Sequence, residues 1–237
     1  KTDSKGKSNL KFIKRDINSL RKVLFDKNLI IMSQVNPGFT KNIVWNKDKL
    51  FYQVETLVFG DAFKRALSPE RIILGTIDPI KKINNDLKIF YSKFNCLIIK
   101  TGYSTAELIK ISINLYLISS ITTTNLISEI VKKIGGSWSD LENSLRLDKR
   151  IGKFAYLNPS PGLSGGNLER DLINSFKLFN YKKVLNSWII LDKKMRTWTE
   201  NRIRKNLPNK SSILICGITY KNNTMSVKNS LSLFLLK

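Results

Sequence analysis

Leu10, Ile13, Ile17, Leu20, Val23 and Leu24 recur three or four positions apart, which predicts a helix near the start of the chain. A short apolar run of strand length, Leu29-Ile30-Ile31-Met32, comes next, and Pro37-Gly38 breaks the chain after it. Ile72-Ile73-Leu74 and Cys96-Leu97-Ile98-Ile99 are two further runs of this kind. An amphipathic stretch from Pro79 to Phe94 lies between them. Strands alternating with helices predict a parallel sheet with helical crossovers.

From Thr105 the pattern becomes one long helix, ended by Gly135-Gly136. Residues Ile111 to Ser128 carry no charge, so a membrane span has to be considered. Ser112, Asn114, Ser119, Ser120, Thr122, Thr123, Thr124 and Asn125 make the run too polar to face lipid, and a helix buried among helices is the better reading. Trp138 to Leu147 and Asp171 to Leu207 read as more helices, separated by a Gly/Pro/Ser loop from Asn158 to Gly166. Ser211 to Gly217 reads as a fresh strand. The expected architecture is α/β: part of a sheet domain, a long connecting helix, a helical middle and the opening of a second α/β unit.

Composition changes this picture little, except for charge. The 237 residues are 42% apolar and 10% aromatic, which is ordinary for a globular protein and argues against disorder. The formal net charge is +23. Nucleic-acid binding would cluster the cations on one stripe or a recognisable module. Here lysines are dispersed, with short pairs such as Lys81-Lys82 and Lys193-Lys194. The joint excess of Lys, Asn and Ile fits codon drift in an A/T-rich genome, and no nucleic-acid partner is expected, although a basic nucleic-acid-binding protein stays as the alternative. Cys96 and Cys216 lie far apart in apolar runs, so a disulfide framework is not expected. No metal site is expected. The opening Lys1-Thr2-Asp3-Ser4-Lys5 has no apolar signal and no starting Met, which points to a cytoplasmic protein whose sequence begins inside a longer gene.

Five blocks, in order, carry a resemblance. They are Ser33-Gln34-Val35-Asn36-Pro37-Gly38-Phe39-Thr40; Tyr52-Gln53-Val54-Glu55-Thr56-Leu57-Val58-Phe59-Gly60 with Ser68-Pro69-Glu70-Arg71-Ile72; and Ala106-Glu107-Leu108-Ile109-Lys110 through Asn114. The fourth is Asp148-Lys149-Arg150-Ile151-Gly152 with Pro161-Gly162-Leu163-Ser164-Gly165-Gly166-Asn167-Leu168-Glu169-Arg170-Asp171, and the fifth is Gly217-Ile218-Thr219-Tyr220-Lys221 with Thr224. Their order and spacing resemble the UDP-glucose/GDP-mannose dehydrogenase family of nucleotide-sugar 6-dehydrogenases. The patterns matched are S-T-V-x-P-G-T-T, Y-N-P-E-F-L-x-E-G with N-P-D-R-I, A-E-x-x-K-x-x-x-N, D-x-R-I-G with P-G-x-G-G-S-C-F-P-K-D, and G-L-T-F-K-x-x-T.

The resemblance implies the C-terminal part of an NAD-binding Rossmann-like domain over residues 1–103. It implies a central helix and helical dimerisation domain over 104–207, and the beginning of a UDP-binding Rossmann-like domain over 208–237. The family oxidises a sugar C6 alcohol to a carboxylate in two hydride transfers to NAD. By resemblance Glu55, Lys110, Asn114, Asn167 and Asp171 occupy catalytic positions. Ser33, Gln34, Glu55 and Lys228 occupy cofactor positions. Leu57, Lys110, Asn114, Arg150, Gly162, Gly165, Tyr220 and Lys221 occupy substrate positions. The implied partners are a nucleotide-sugar substrate and a second copy of the chain, with no membrane.

The residue types suit that chemistry. Lys110 and Asn114 are four apart and share a helix face. Lys110 would stabilise oxyanion charge and Asn114 would hold a water or a sugar oxygen. A solvated helix edge is the alternative for an arbitrary pair, but a lone Lys in a nearly uncharged helix points to function. Glu55 matches the general-base carboxylate, where a surface residue is the default. Asp171 matches the active-site aspartate, against helix N-capping. Arg150 matches an arginine that reaches the neighbouring subunit's nucleotide site, against a surface arginine. The Pro161 to Gly166 loop offers backbone amides for close approach.

Four positions depart from the family. Its nucleophilic cysteine aligns with Asn167, which cannot form a thiohemiacetal. Its threonine beside the nicotinamide aligns with Gln34, its second E-F-L-x-E-G glutamate with Phe59, and a C-terminal arginine with Lys228. The G-x-G-x-x-G turn and acidic ribose-binding residue are expected before Lys1.

Overall fold

The structure is a computed structural model that describes residues 9–58 and 60–236. The chain divides into two compact units, Lys1–Ile113 and Asn114–Lys237.

The first unit is built on a four-stranded sheet ordered β1-β2-β3-β4, formed by β1 (Leu29–Ile31), β2 (Leu50–Gln53), β3 (Arg71–Thr76) and β4 (Leu97–Gly102). The β1/β2 and β3/β4 pairings are parallel, whereas β2 and β3 are antiparallel. The sheet is therefore mixed, not uniformly parallel as the alternation predicts. The odd element is β2, whose Leu-Phe-Tyr-Gln core is too short to stand out as an apolar run. Its central position buries Leu50, Phe51 and Tyr52.

Side chains alternate between the two sheet faces. Leu50, Tyr52 and Ile73 join Ile17, Val35, Phe39, Trp45, Tyr103 and Ala106 in one core. Phe51, Ile72 and Leu74 join Leu87 and Tyr91 in the other. Ile17 comes from α1 (Lys11–Leu24), the amphipathic helix that the spacing predicts. Leu87 and Tyr91 come from α3 (Asn85–Tyr91), started by Asn84, whose side chain accepts the Leu87 N–H. A short helix not foreseen from the pattern, α2 (Ala62–Leu67), sits between β2 and β3.

A single helix, α4 (Tyr103–Lys133), begins in the first unit and continues into the second. Gly135 ends it in the left-handed region at φ +71, and the Gly136 N–H reaches back 2.9 Å to the Val131 carbonyl. Its polar residues have internal partners. Ser120 and Thr124 donate to the Tyr156 carbonyl at 3.1 and 2.9 Å, and Asn125 accepts the Ser160 N–H at 2.8 Å. Among the described residues no helix is long and apolar enough to cross a membrane.

The second unit continues with α5 (Trp138–Leu147), capped by Ser137, then α6 (Asn167–Ser175), α7 (Lys182–Asn206) and α8 (Leu231–Leu235). Ile118, Leu163, Leu172 and Leu185 form its core. The strand expected at Ser211 to Gly217 does not form. Among the described residues no strand lies beside this run to complete a ladder, and Leu214 is 88% exposed. An isolated strand has nothing to compensate its backbone hydrogen bonds with water.

Candidate active site

Two clusters form, one in each unit. In the first unit, β2 leads into Val54, whose N–H continues the ladder to the Ile73 carbonyl at 3.0 Å, so Glu55 emerges from the sheet at a fixed position. Its carboxylate accepts the Leu57 N–H, which locks the turn that follows. Lys110 lies on α4 with its ammonium 3.8 Å from Glu55 Oε2. The Lys110 side chain is only 12% exposed and that of Glu55 is 35% exposed. A cation this shielded, held at the long end of ion-pair distance, is available to a second anionic partner.

The loop after β1 belongs to the same unit. Ser33 is exposed and Gln34 half-buried. Gly38 adopts φ +90, and open space surrounds the position a Cβ would take. The loop is held by Glu107, which lies within the third motif block but is not among the candidate site residues. Glu107 is completely buried on α4, and its carboxylate accepts the N–H groups of Gly38 at 2.5 Å and Thr40 at 2.7 Å. The available signal was a carboxylate inside a nearly uncharged helix, three residues before Lys110.

In the second unit, α6 begins at Asn167, with Gly166 at its N-cap position. Asp171 lies one turn inside the helix and is fully buried, so it is not an N-cap. The Asn114 side-chain amide donates to Asp171 Oδ2, and Arg170 Nε donates to Oδ1 at 3.0 Å. Asn114 is itself buried at 6% exposure. Asn167 is exposed.

The Pro161 to Gly166 loop packs against the turn from Tyr220 to Asn229. Tyr220 lies over Gly165, its ring 3.1 Å from the point where a Cβ would sit, and the Lys228 stem lies 2.8 Å from the same point on Gly166. Both glycines are thus needed for the approach. Burial raises the Tyr220 phenol above its ordinary pKa. Lys221 and Lys228 are exposed.

Not every nominated residue joins a cluster. Arg150 stands in solvent with its side chain 89% exposed, forked onto Asp148 at 3.0 and 2.6 Å. The Arg150 hydrogen bonds lower the Asp148 pKa and raise that of Arg150. Leu57 is 39% exposed beside Glu55, and Phe59 lies outside the described residues. Cys96 and Cys216 are both free thiols. Among the described residues no group of His, Cys, Asp and Glu could hold a metal ion.

Residues 104–189 match the central domain of the UDP-glucose/GDP-mannose dehydrogenase family. The chain is 31% identical over 225 residues to a UDP-glucose 6-dehydrogenase from Rickettsia bellii, covering 88% of this chain and 51% of that protein. Over residues 104–189 the chain carries the central domain of the UDP-glucose/GDP-mannose dehydrogenase family.

Another relative, a UDP-glucose 6-dehydrogenase from Rickettsia prowazekii, is 31% identical over 248 residues, 95% of this chain and 55% of that protein. The chain spans about half the length of the curated relatives it matches. Among solved structures, a UDP-glucose dehydrogenase from Pyrobaculum islandicum superposes with TM-score 0.83 at 19% identity, covering 99% of this chain and 58% of that one. A UDP-D-ManNAc dehydrogenase from Pyrococcus horikoshii gives TM-score 0.81 at 19% identity, covering 99% and 60%. The fold is that of the nucleotide-sugar dehydrogenases.

Proposed function

We propose that the full-length protein oxidises the C6 alcohol of a UDP-glucose-like nucleotide sugar, with NAD as its cofactor. The observation that carries this reading is the shielded Lys110–Glu55 pair at 3.8 Å, a cation and a carboxylate close enough to share one proton-transfer site. Glu55 takes the alcohol proton, directly or through a water, and Lys110 neutralises the alkoxide as it forms. Asn114, fixed by Asp171, presents the rest of its amide to a sugar oxygen or a water. NAD, when bound, supplies the hydride acceptor. Ser33, Gln34 and Glu55 are the residues of the first unit that would hold it, beside Gly38, where nothing lies within 4 Å of the place a Cβ would take.

Asn167 bears on the second oxidation. An amide offers no nucleophile to trap the aldehyde, so acid forms only by way of the hydrated aldehyde. The first oxidation has no need of that nucleophile. In the second unit Gly162, Gly165, Tyr220 and Lys221 contact the nucleotide sugar in this reading. Arg150 reaches a partner copy in this reading, its side chain being 89% exposed. The partner copy docks on the central helix and helical middle. Tyr116, Ile130 and Ile134 of that region are 81%, 58% and 73% exposed and supply apolar side chains for such a contact. Light scattering of the full-length protein should give a dimer or larger.

The test of the chemistry is NADH absorbance with full-length protein, NAD and a UDP-hexose. Slow turnover is expected, reduced about 10²–10³-fold by Lys110→Ala, the usual cost of losing one oxyanion donor. Iodoacetamide should change little. Rapid two-step oxidation destroyed by iodoacetamide would show that a cysteine serves as nucleophile, and no turnover at any UDP-hexose concentration would overturn the reading.

A further inference from the structure

Asp192 and Arg196 stand one turn apart on α7, their side chains 18% and 16% exposed, with Arg196 Nε 3.2 Å from Asp192 Oδ2. Neither belongs to a motif block. Both also bind one residue of the glycine loop. Asp192 Oδ1 accepts the Leu163 N–H, and Arg196 Nη2 donates to the Leu163 carbonyl. Gly162, at φ +114, makes the approach possible, because a Cβ there would sit 2.5 Å from Asp192 Oδ1.

Arg196 has a second target. Its Nη1 lies 3.4 Å from the Asn229 carbonyl. Asn229 holds the left-handed conformation at φ 56, and its amide donates to the Gly165 carbonyl at 2.8 Å and to Glu169 Oε2 at 2.7 Å. The Gly165 N–H donates to the Lys228 carbonyl at 3.2 Å, closing the circuit. One guanidinium thus touches both the glycine loop and the turn that carries Tyr220 and Lys228.

We propose that Arg196 is a positioning residue, which fixes the glycine loop against the Tyr220–Asn229 turn and so sets the affinity for the nucleotide sugar. This rests on the function proposed above. The chemistry selects arginine for the role. A shielded ion pair is a weak source of stability, since desolvation offsets its Coulomb gain. A planar fork with several donors, in contrast, can serve a carboxylate and two carbonyls at once. A lysine ammonium keeps the Asp192 pair but is a single point on a flexible stem.

The experiment uses full-length protein, with UDP-glucose binding followed by calorimetry, hydrogen exchange of the segment 160–167, and steady-state kinetics. Arg196→Lys should fold with a melting temperature within a few degrees of the parent, exchange faster in that segment, and bind UDP-glucose at least tenfold more weakly. Its KM should rise while kcat stays within threefold. Asn229→Gly keeps the left-handed backbone and removes only the two amide bonds, so it should move affinity and exchange the same way by less. Parent-like affinity in Arg196→Lys, or equal losses of kcat and melting temperature without a KM effect, would overturn the role of Arg196 alone. A parent that binds no UDP-glucose would overturn the functional reading and this role with it.

Discussion

Removing the Glu107 carboxylate would leave two amide N–H groups, those of Gly38 and Thr40, without their acceptor, the Thr40 group in a fully buried position. Glu107→Gln keeps the volume but turns one end of the acceptor into a donor facing a donor. Hydrogen bonds to a charged group are worth about 1.5–3 kcal/mol each, so a loss of that order is expected in urea unfolding of the full-length protein. The Pro37 to Thr40 loop should also become protease-sensitive. An unchanged urea midpoint would mean that the loop does not depend on this carboxylate. Two buried tyrosines give a pH test at the same scale. Burial raises Tyr91 to about 12, and burial together with the Asp48 carboxylate raises Tyr103 to about 12. Their hydroxyls donate to Gln53 Oε1 at 2.8 Å and the Leu50 carbonyl at 2.7 Å. The unfolded chain releases these protons near pH 10, while the fold retains them to about 12. The unfolded state therefore binds fewer protons in that window, and stability, full below pH 10, falls as pH rises through it. Denaturant titrations at pH 9 and 11 should show the fall, and the Tyr91→Phe, Tyr103→Phe double variant should lack most of it.

At the scale of elements, periodicity was informative where burial is one-sided or the stop signal is strong. The α1 stripe, the α4 terminus at Gly135 and the span of α5 were legible because helix phase and caps are local properties. β2 and α2 were not legible, because each is short and takes its identity from neighbours: β2 from β1 and β3 on either side. The Ser211 to Gly217 run shows the converse, a strand-like composition with no ladder beside it. The site divides along the same line. Lys110 and Asp171 carry a motif, whereas Asp192, Arg196 and Asn229 act through contacts made 29 to 64 residues away in sequence. The β3–α4 contact offers a direct test of element packing. A Cβ on Gly75 would lie 2.8 Å from Ala106 Cβ and 3.3 Å from Tyr103 Cα, and Ala106 is wholly buried. Gly75→Ala should therefore cost about 1–3 kcal/mol as overpacking, despite alanine's lower backbone entropy. Ala106→Gly in the same protein should recover part of the loss, and strict additivity of the two changes would show that they do not touch.

Over the whole molecule the dominant physical fact is a net charge of +23, produced by 41 Lys and Arg against 18 Asp and Glu. Two partners can answer such a charge, and salt distinguishes them. A polyanion binds by releasing condensed counterions, so a protein that neutralises six to ten phosphates loses about 10³–10⁵ in affinity between 50 and 200 mM salt. A nucleotide sugar has only a diphosphate and no condensed counterion layer. Its binding would depend on local contacts such as those around Gly162, Gly165 and Tyr220, for which salt only screens. The shielding of Lys110, at 12% exposure, reduces that dependence further. Calorimetry of the full-length protein with UDP-glucose should accordingly show less than about a tenfold change in affinity over this salt range, set by ordinary screening. Gel shifts with duplex DNA should show retention at 50 mM salt at most, lost by 200 mM. Tight DNA binding that survives 200 mM salt, alongside UDP-glucose binding too weak to measure, would return the charge to a nucleic-acid role and remove the dehydrogenase reading.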